Sequence, residues 1–239
     1  MNALVNFFKH LHKSKSVLLI VLIFSISVCM CGGSSSSNSG TQTHPPLNSE
    51  VIMIGDSYFA MDGYIANELE NLSGESYRHY YMNGTGFNIS YGMPIGQQYT
   101  YARSIDSNIK IVIMNGGGND IFDDSDCMTY GLNGNCEECI DSVVDTAESL
   151  VQQMFLNNAD HVIFLFYPHL INSMASMNPI LDYAAGEIAS RITDSRFHFI
   201  NPSTEFAGHS EYFKTDNLHP SKAGGDVLAG LIWDVMENF

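Results

Sequence analysis

Two short motifs at opposite ends of the chain contain the residue types that nucleophilic catalysis requires. Ser57 follows an apolar run in the tripeptide Gly-Asp-Ser, and Asp216 stands three residues before His219 in Asp-Asn-Leu-His-Pro. A serine hydroxyl is a weak nucleophile near neutral pH, so it needs an adjacent base that a third group orients. Asp216 could reach Nδ1 of His219 and leave Nε2 free to face Ser57.

Each motif taken alone also fits a purely structural role. Gly, Asp and Ser are ordinary turn residues, and the tripeptide could simply connect a strand to a helix. Asp216 could cap a helix start, because Pro220 suits the first position of a helix and biases His219 away from helical geometry. The catalytic interpretation therefore depends on what the rest of the chain supplies.

Acyl transfer also needs hydrogen-bond donors directed at the oxyanion that develops on the carbonyl. Three candidates follow predicted strands: the backbone N–H groups of Ser57 and Gly84, and the side-chain amide of Asn119. Glycine lets a backbone amide approach a substrate closely, and asparagine offers N–H groups without charge. Gly86 is the alternative to Gly84, because Met-Asn-Gly-Thr-Gly contains both glycines.

The secondary structure must bring these residues together. Apolar runs bounded by turn residues predict five strands, beginning near residues 50, 77, 109, 161 and 197. Apolar residues at helical spacing predict helices over 58–74, 139–159, 178–192 and 221–239. This alternation predicts an α/β fold whose parallel sheet has helices on both faces. The candidate residues would then meet at the carboxyl ends of the strands, where such sheets bind ligands.

Four motifs, in their order along the chain, resemble the motif blocks of the SGNH, or GDSL, hydrolases. They are Gly55-Asp56-Ser57, the turn at Gly84, Gly-Gly-Asn-Asp at 117–120 and Asp-Asn-Leu-His-Pro at 216–220. The resemblance covers residues 50–239. It implies a flavodoxin-like three-layer α/β/α sandwich with about five strands, and a serine esterase that hydrolyses carboxylic esters through an acyl-enzyme.

The resemblance also implies a role for each residue of the site. Ser57 would be the nucleophile, His219 the base and Asp216 the group that orients the base. Gly84 and Asn119 would complete an oxyanion hole with the N–H of Ser57.

One position departs from the pattern of that family, because Tyr58 stands where the family often has Leu. This departure is expected to affect the packing beside the nucleophile. An acyltransferase on the same site and a non-catalytic, glycan-binding surface lipoprotein are the alternative functions. The expected partner is a small-molecule or glycan ester.

The net charge of −16, from 26 acidic and 10 basic residues, argues against nucleic acids and anionic membranes as binding partners. A chain this acidic is a poor ligand for nucleic acid phosphates, and anionic lipid headgroups repel it unless something anchors it. Its glycine-rich turns lack the third glycine of the dinucleotide fingerprint and the Lys-Ser/Thr ending of a phosphate loop. We expect a monomer without a cofactor.

The N-terminus has the pattern of an export signal. Three lysines precede the apolar run at 17–28, which is short for a membrane-spanning helix of about 20 residues. Cys31, followed by Gly-Gly-Ser, resembles the lipidated residue of a bacterial lipoprotein, although Met30 stands where a small residue is usual. Cys29 is a weaker candidate.

These features predict an export signal at 1–30, a Ser- and Gly-rich tether at 31–48 and a hydrolase domain at 49–239. The protein is expected in the bacterial cell envelope, held to a membrane by a lipid anchor or by its N-terminal segment. A cleaved signal and secretion form the alternative.

Three cysteines remain in the predicted domain: Cys127, Cys136 and Cys139. An exported protein favours a disulfide that braces a loop, with one thiol left over and the pairing open. The Cys-Glu-Glu-Cys segment could also be a redox pair. A zinc site lacks a fourth ligand at suitable spacing, and the acidic segment 120–126 lacks the pattern of a calcium loop.

Overall fold

The computed structural model describes residues 45–89 and 92–239. The predicted export signal, Cys29, Cys31 and most of the predicted tether lie outside these described residues. Within the described part of the chain, no helix combines the length and the apolar character that crossing a membrane requires. The first strand begins at Leu47, two residues before the predicted domain start at 49.

Five parallel strands form one sheet in the spatial order β2-β1-β3-β4-β5. The strands are β1 (Leu47–Ile54), β2 (Ser76–His79), β3 (Ile111–Met114), β4 (His161–Leu165) and β5 (Phe197–Ile200). The chain places β2 on one side of β1 and the later strands on the other side. The direction of strand addition therefore reverses between β1 and β3, which is the topological switch point of the sheet.

Helices cover both faces of this sheet. They are α1 (Ser57–Ala60), α2 (Tyr64–Ser73), α3 (Ile95–Ile105), α4 (Gly118–Asp123), α5 (Ser125–Tyr130), α6 (Gly134–Leu156), α7 (Asn178–Arg191), α8 (Ser203–Phe206) and α9 (Lys222–Met236). α2 packs against α9, and α6 packs against α7. The predicted flavodoxin-like three-layer α/β/α sandwich is confirmed.

The core lies between the sheet and its helical layers. Residues 51–54 of β1 are at most 1% exposed, and Val112, Ile113 and Met114 of β3 are fully buried. Both faces of a central parallel strand are covered, so its sequence is continuously apolar instead of alternating. Burial of each such side chain contributes about 1.5–3 kcal/mol, which anchors the turns that follow these strands.

One helical prediction was wrong in detail, and one long helix was missed. The helix predicted over 58–74 is divided into α1 and α2 at Asp62 and Gly63, which both have a φ of 64°. An α-helix cannot pass through the left-handed region, so the chain must restart after it. Helix α3 was not predicted, although Ile95, Tyr99 and Ala102 have helical spacing and are buried.

A disulfide joins Cys127 in α5 to Cys136 in α6. Cys139 is free, so the Cys-Glu-Glu-Cys segment is not itself the disulfide. Burial, together with the neighbouring carboxylates of Asp124 and Asp120, raises the pKa of the Cys139 thiol to about 11. The Asp124 carboxylate and the sulfurs of Cys127 and Cys139 lie within 4.8 Å of one another. Because Cys127 is in the disulfide, this cluster offers no metal-binding thiolate from that residue.

Candidate active site

A cleft of about 260 Å³ opens where the turns after β1 and β3 meet. It lies at the switch point of the sheet, outside the carboxyl ends of the strands. The cleft brings together Ser57, Gly84, Asn119 and His219, which come from four separate motifs of the sequence. The other lining residues are Asp56, Tyr58, Met61, Asn83, Gly118, Phe122, Tyr167 and Leu218.

Ser57, His219 and Asp216 form a continuous chain of hydrogen bonds. The Oγ atom of Ser57 lies 2.9 Å from Nε2 of His219, and Nδ1 of His219 lies 2.9 Å from Oδ2 of Asp216. The side chain of His219 is 13% exposed, whereas that of Asp216 is 44% exposed. This is the relative placement that a nucleophile, its base and an orienting carboxylate require.

The loop that carries Asp216 and His219 orients both side chains. Oδ1 of Asp216 accepts hydrogen bonds from the backbone N–H groups of Leu218, at 3.0 Å, and of His219, at 2.9 Å. Partial burial raises the pKa of Asp216, but these two bonds and the bond from the His219 ring lower it more, so the pKa lies below its ordinary value. Asp216 therefore remains an anion that can stabilise a protonated imidazole.

The backbone N–H groups of Ser57 and Gly84 are the two main-chain donors predicted for an oxyanion hole. Within residues 45–89 and 92–239, neither the N–H of Ser57 nor that of Gly84 has a hydrogen-bond acceptor. Gly84 has a φ of 72°, which a residue with a side chain rarely adopts, and it lines the cleft. Both N–H groups are therefore available to a ligand.

Gly86 has a different environment. A Cβ atom on Gly86 would lie 2.2 Å from Oδ2 of Asp120, so glycine is needed there for close packing against that carboxylate. Gly86 does not line the cleft, whereas Gly84 does. The geometry thus favours Gly84 over Gly86 as the donor.

Asn119 links the turn after β3 to the turn that contains Gly84. Its Nδ2 donates to the Thr85 carbonyl at 2.8 Å, and its other contact, with Oδ2 of Asp56, is 3.5 Å long. One amide N–H is therefore fully engaged, while the other is only weakly engaged and belongs to a residue that lines the cleft.

Comparisons with solved structures identify the fold, although no protein-family model and no curated protein matches the sequence. A lipase from a goat rumen metagenome aligns over 77% of this chain and 95% of its own, with 12% identity and a TM-score of 0.60. An acetylxylan esterase from Geobacillus stearothermophilus aligns over 79% and 94%, with 14% identity and a TM-score of 0.58. A protein from Slackia heliotrinireducens, described as an SGNH hydrolase, aligns over 78% and 97%, with 17% identity and a TM-score of 0.51.

The chain has the SGNH hydrolase fold. In this fold the four sequence motifs lie in four separate turns, and the parallel sheet brings those turns to one edge. The backbone fold therefore supports the resemblance to SGNH hydrolases that the four sequence motifs indicated, and it does so independently of those motifs.

Asp120 fixes the segment that follows the Gly84 turn of the SGNH hydrolase fold. Its Oδ2 accepts from the N–H of Phe87 at 2.8 Å, and its Oδ1 accepts from those of Asn88 and Ile89 at 2.7 and 2.9 Å. A carboxylate that accepts three backbone N–H groups replaces a regular backbone pairing for that loop. The side chain beside Asn119 thus holds the loop that Asn119 contacts.

Asp56 is the centre of a second network, which the sequence did not predict. It is 1% exposed and caps α1 by accepting from the N–H of Tyr58 at 3.0 Å. It also accepts from Nδ2 of Asn115 at 2.7 Å and from the Tyr167 hydroxyl at 2.5 Å. Burial raises the pKa of Asp56, and the hydrogen bonds from Tyr167, Tyr58 and Asn115 offset this effect only in part.

Three residues hold the turns of the SGNH hydrolase fold together. Tyr167 accepts from the N–H of Gly118, and Asn115 accepts from the N–H of Asp56. Gln98 of α3 accepts from the N–H of Gly55 at 2.7 Å and donates to its carbonyl at 3.0 Å. Sequence reasoning missed these support residues. Asn115 directly follows a predicted strand and Gln98 lies between apolar positions of helical spacing, so each position offered only a weak indication of its role.

The other histidines within residues 45–89 and 92–239 have partners away from this cleft. His79 contacts Glu70 at 3.1 Å, His169 contacts Asp182 at 2.6 Å and His209 contacts Glu211 at 2.8 Å. The remaining pair, His161 and His198, lie 3.1 Å from each other. In this SGNH hydrolase fold, His219 is the histidine that lines the cleft with Ser57.

Proposed function

We propose that the protein is a serine esterase that hydrolyses carboxylic esters through an acyl-enzyme intermediate. The observation that carries the proposal is the hydrogen-bonded series from Ser57 Oγ through the His219 ring to Asp216, with 2.9 Å at each step. Its position in a cleft beside two backbone N–H groups that have no acceptor among the described residues supports the second requirement of acyl transfer.

In the first half of the reaction, Ser57 Oγ attacks the ester carbonyl while Nε2 of His219 takes its proton. The imidazolium that forms is stabilised by the Asp216 carboxylate at Nδ1. The negative charge on the carbonyl oxygen is met by the N–H groups of Ser57 and Gly84 and by the Asn119 amide. His219 then protonates the departing alcohol.

In the second half, a water molecule replaces the alcohol. Its proton passes to His219 as its oxygen attacks the acyl carbon, and the same donors stabilise the second oxyanion. Release of the carboxylic acid restores the Ser57 hydroxyl. Every proton in this cycle moves through one nitrogen atom, Nε2 of His219.

The size of the cleft supports a short acyl group. Its volume of about 260 Å³ is below the range of roughly 300–1,000 Å³ that drug-sized ligands occupy. Tyr58 and Tyr167 line it and are each at most 5% exposed, so their rings form a fixed part of its wall. The fold neighbour that is an acetylxylan esterase makes acetylated glycans a suitable first class of substrate to assay.

The test uses p-nitrophenyl acetate, p-nitrophenyl decanoate and a fluorophosphonate probe. Ser57→Ala is expected to lower kcat/KM by roughly 10³-fold or more and to abolish probe labelling, because the nucleophile is gone. Ser125→Ala, which changes an exposed serine at the start of α5, is the matched control. Equal hydrolysis and equal labelling of the wild type and Ser57→Ala would contradict the proposal.

We also propose that the enzyme is exported and held to the bacterial cell envelope by a lipid on Cys31. The basic residues before the apolar run at 17–28, the Cys-Gly-Gly-Ser sequence and the Ser-rich segment that follows support this localisation. An anchor explains how so acidic a chain could stay at an anionic membrane surface.

A further inference from the structure

Tyr58 connects the nucleophile to the base by a contact outside the series Ser57–His219–Asp216. Its hydroxyl donates to the Leu218 carbonyl at 2.6 Å. Tyr58 directly follows Ser57, and Leu218 directly precedes His219. Two hydrogen bonds therefore join the dipeptide Ser57-Tyr58 to the dipeptide Leu218-His219. One links the side chains of Ser57 and His219, and the other links the Tyr58 hydroxyl to the Leu218 carbonyl.

Tyr58 itself is held firmly. It is 3% exposed, its N–H donates to Asp56, and its ring packs edge-on against Tyr167 with ring centroids 4.8 Å apart. Burial, with the nearby carboxylates of Asp56 and Asp216, raises the pKa of Tyr58 well above its ordinary value. The phenol therefore keeps its proton and remains a donor throughout the pH range of enzyme assays.

The two hydrogen bonds differ in what happens to them during the reaction. Once Ser57 is acylated, its Oγ is an ester oxygen without a proton, and it can no longer donate to His219. The Tyr58–Leu218 bond involves no reacting atom, so it persists in the acyl-enzyme. His219 must stay aligned at that stage, because it has to take a proton from the attacking water.

We propose that Tyr58 is a positioning residue that keeps His219 aligned in the acyl-enzyme by holding the Leu218 carbonyl, so that it acts chiefly on deacylation. The proposal rests on the esterase function proposed above. A leucine at position 58 would make no such bond, so the role is particular to the tyrosine of this chain. Acylation depends on Tyr58 less, because the Ser57–His219 bond is then intact.

The test compares the wild type, Tyr58→Phe and Tyr99→Phe in stopped-flow hydrolysis of p-nitrophenyl acetate. Phe keeps the ring and its contact with Tyr167 and removes only the hydroxyl. Tyr99 is the matched control, because it is 1% exposed and its hydroxyl has no hydrogen-bond partner among the described residues. Loss of one hydrogen bond and of its alignment is expected to slow deacylation about tenfold.

The expected signature of Tyr58→Phe is a burst of p-nitrophenol followed by a slower steady state, with the acylation rate within about threefold of the wild type. Tyr99→Phe should behave as the wild type. A deacylation rate of Tyr58→Phe within twofold of that of Tyr99→Phe would overturn the proposal, and so would an equal loss in both steps.

Hydrogen exchange of the peptide around residues 214–221 supplies a readout that needs no esterase activity. Tyr58→Phe should raise exchange at the N–H groups of Leu218 and His219, and Tyr99→Phe should not. If the wild type hydrolyses no ester, the proposed function fails, and the exchange result alone decides whether Tyr58 holds this loop. Unchanged exchange in Tyr58→Phe would overturn the positioning role in either case.

Discussion

Replacement of Asp120 tests whether one buried carboxylate holds the loop that follows Gly84, one of the proposed oxyanion donors. Asp120 is 5% exposed, and its two carboxylate oxygens accept hydrogen bonds from different backbone N–H groups. Oδ2 binds the N–H of Phe87, which is buried, and Oδ1 binds the partly buried N–H groups of Asn88 and Ile89. In Asp120→Asn the amide oxygen can keep the two Oδ1 bonds, but an NH₂ group would face the N–H of Phe87.

The expected loss of folding stability follows from how many of these three hydrogen bonds each substitution removes. A buried N–H without an acceptor costs about 1–3 kcal/mol, so Asp120→Asn should destabilise the protein by about 2 kcal/mol. Asp120→Ala removes all three bonds, and water can satisfy the two less buried groups, so the loss should be about 4 kcal/mol. For a domain of this size, each kcal/mol lowers Tm by about 2–4 °C.

Differential scanning calorimetry measures this ranking directly. Asp123→Asn is the control, because Asp123 is exposed on the same helix α4. Asp120→Asn should also lower kcat, since the loop it frees begins beside Thr85, whose carbonyl binds Asn119. A Tm for Asp120→Asn within 1 °C of that for Asp123→Asn would refute the assignment of these three bonds as the support of the loop.

Two further predictions concern acidity and anchoring. Partial burial raises the pKa of Asp216 but its hydrogen bonds lower it more, so this carboxylate stays ionised as the pH falls below the ordinary range for an aspartate. The acid limb of kcat/KM should therefore show no inflection from Asp216 between about pH 4 and 5, and an inflection there that disappears in Asp216→Asn would contradict this. Labelled palmitate should be incorporated into the wild type and Cys29→Ala but not into Cys31→Ala; equal labelling of both variants would show that Cys31 is not the lipidated residue.

The sequence predicted the fold because its main signals are long and repeated. Continuous apolar runs followed by turn residues marked the three central strands β1, β3 and β4, and the alternation with helices predicted the parallel topology. The break between α1 and α2 coincides with the dipeptide Asp62-Gly63, which is a turn signal, but it was missed because the apolar spacing on both sides of it resembles one continuous helix. Helix α3 was missed because its apolar face is narrow and Pro94, at its N-cap, makes no side-chain capping bond.

For the candidate site, the sequence predicted the residues that face the cleft but not the residues that support them. Residues that face the cleft stand in short motifs, so Ser57, Gly84, Asn119 and His219 could be chosen from the sequence and lie together in the structure. The residues that support them come from distant positions with ordinary composition. Tyr167 is 111 residues from its partner Asp56, and no local pattern encodes such a contact.

The support residues nevertheless follow a physical rule. Asp56 stands beside Ser57, Asp120 beside Asn119 and Leu218 beside His219, so each of these three predicted site residues has a neighbour whose hydrogen bonds fix the backbone. Adjacent side chains point in different directions, and a backbone N–H near a strand end lacks a regular partner. A carboxylate is an efficient partner for such groups, because its two oxygens accept several N–H bonds and donate none.

This need for hydrogen-bond acceptors also explains why the carboxylates of Asp56 and Asp120 are buried. Burial disfavours the charged form of Asp56, and its raised pKa records the cost. The hydrogen bonds from Tyr167, Tyr58 and Asn115 offset part of that cost. Those from Asn115 and Tyr167 also join the turn after β1 to the turn after β3 and to the end of β4. Loss of any one of them leaves a buried charge less well solvated, so the geometry of the cleft is coupled to the stability of the fold.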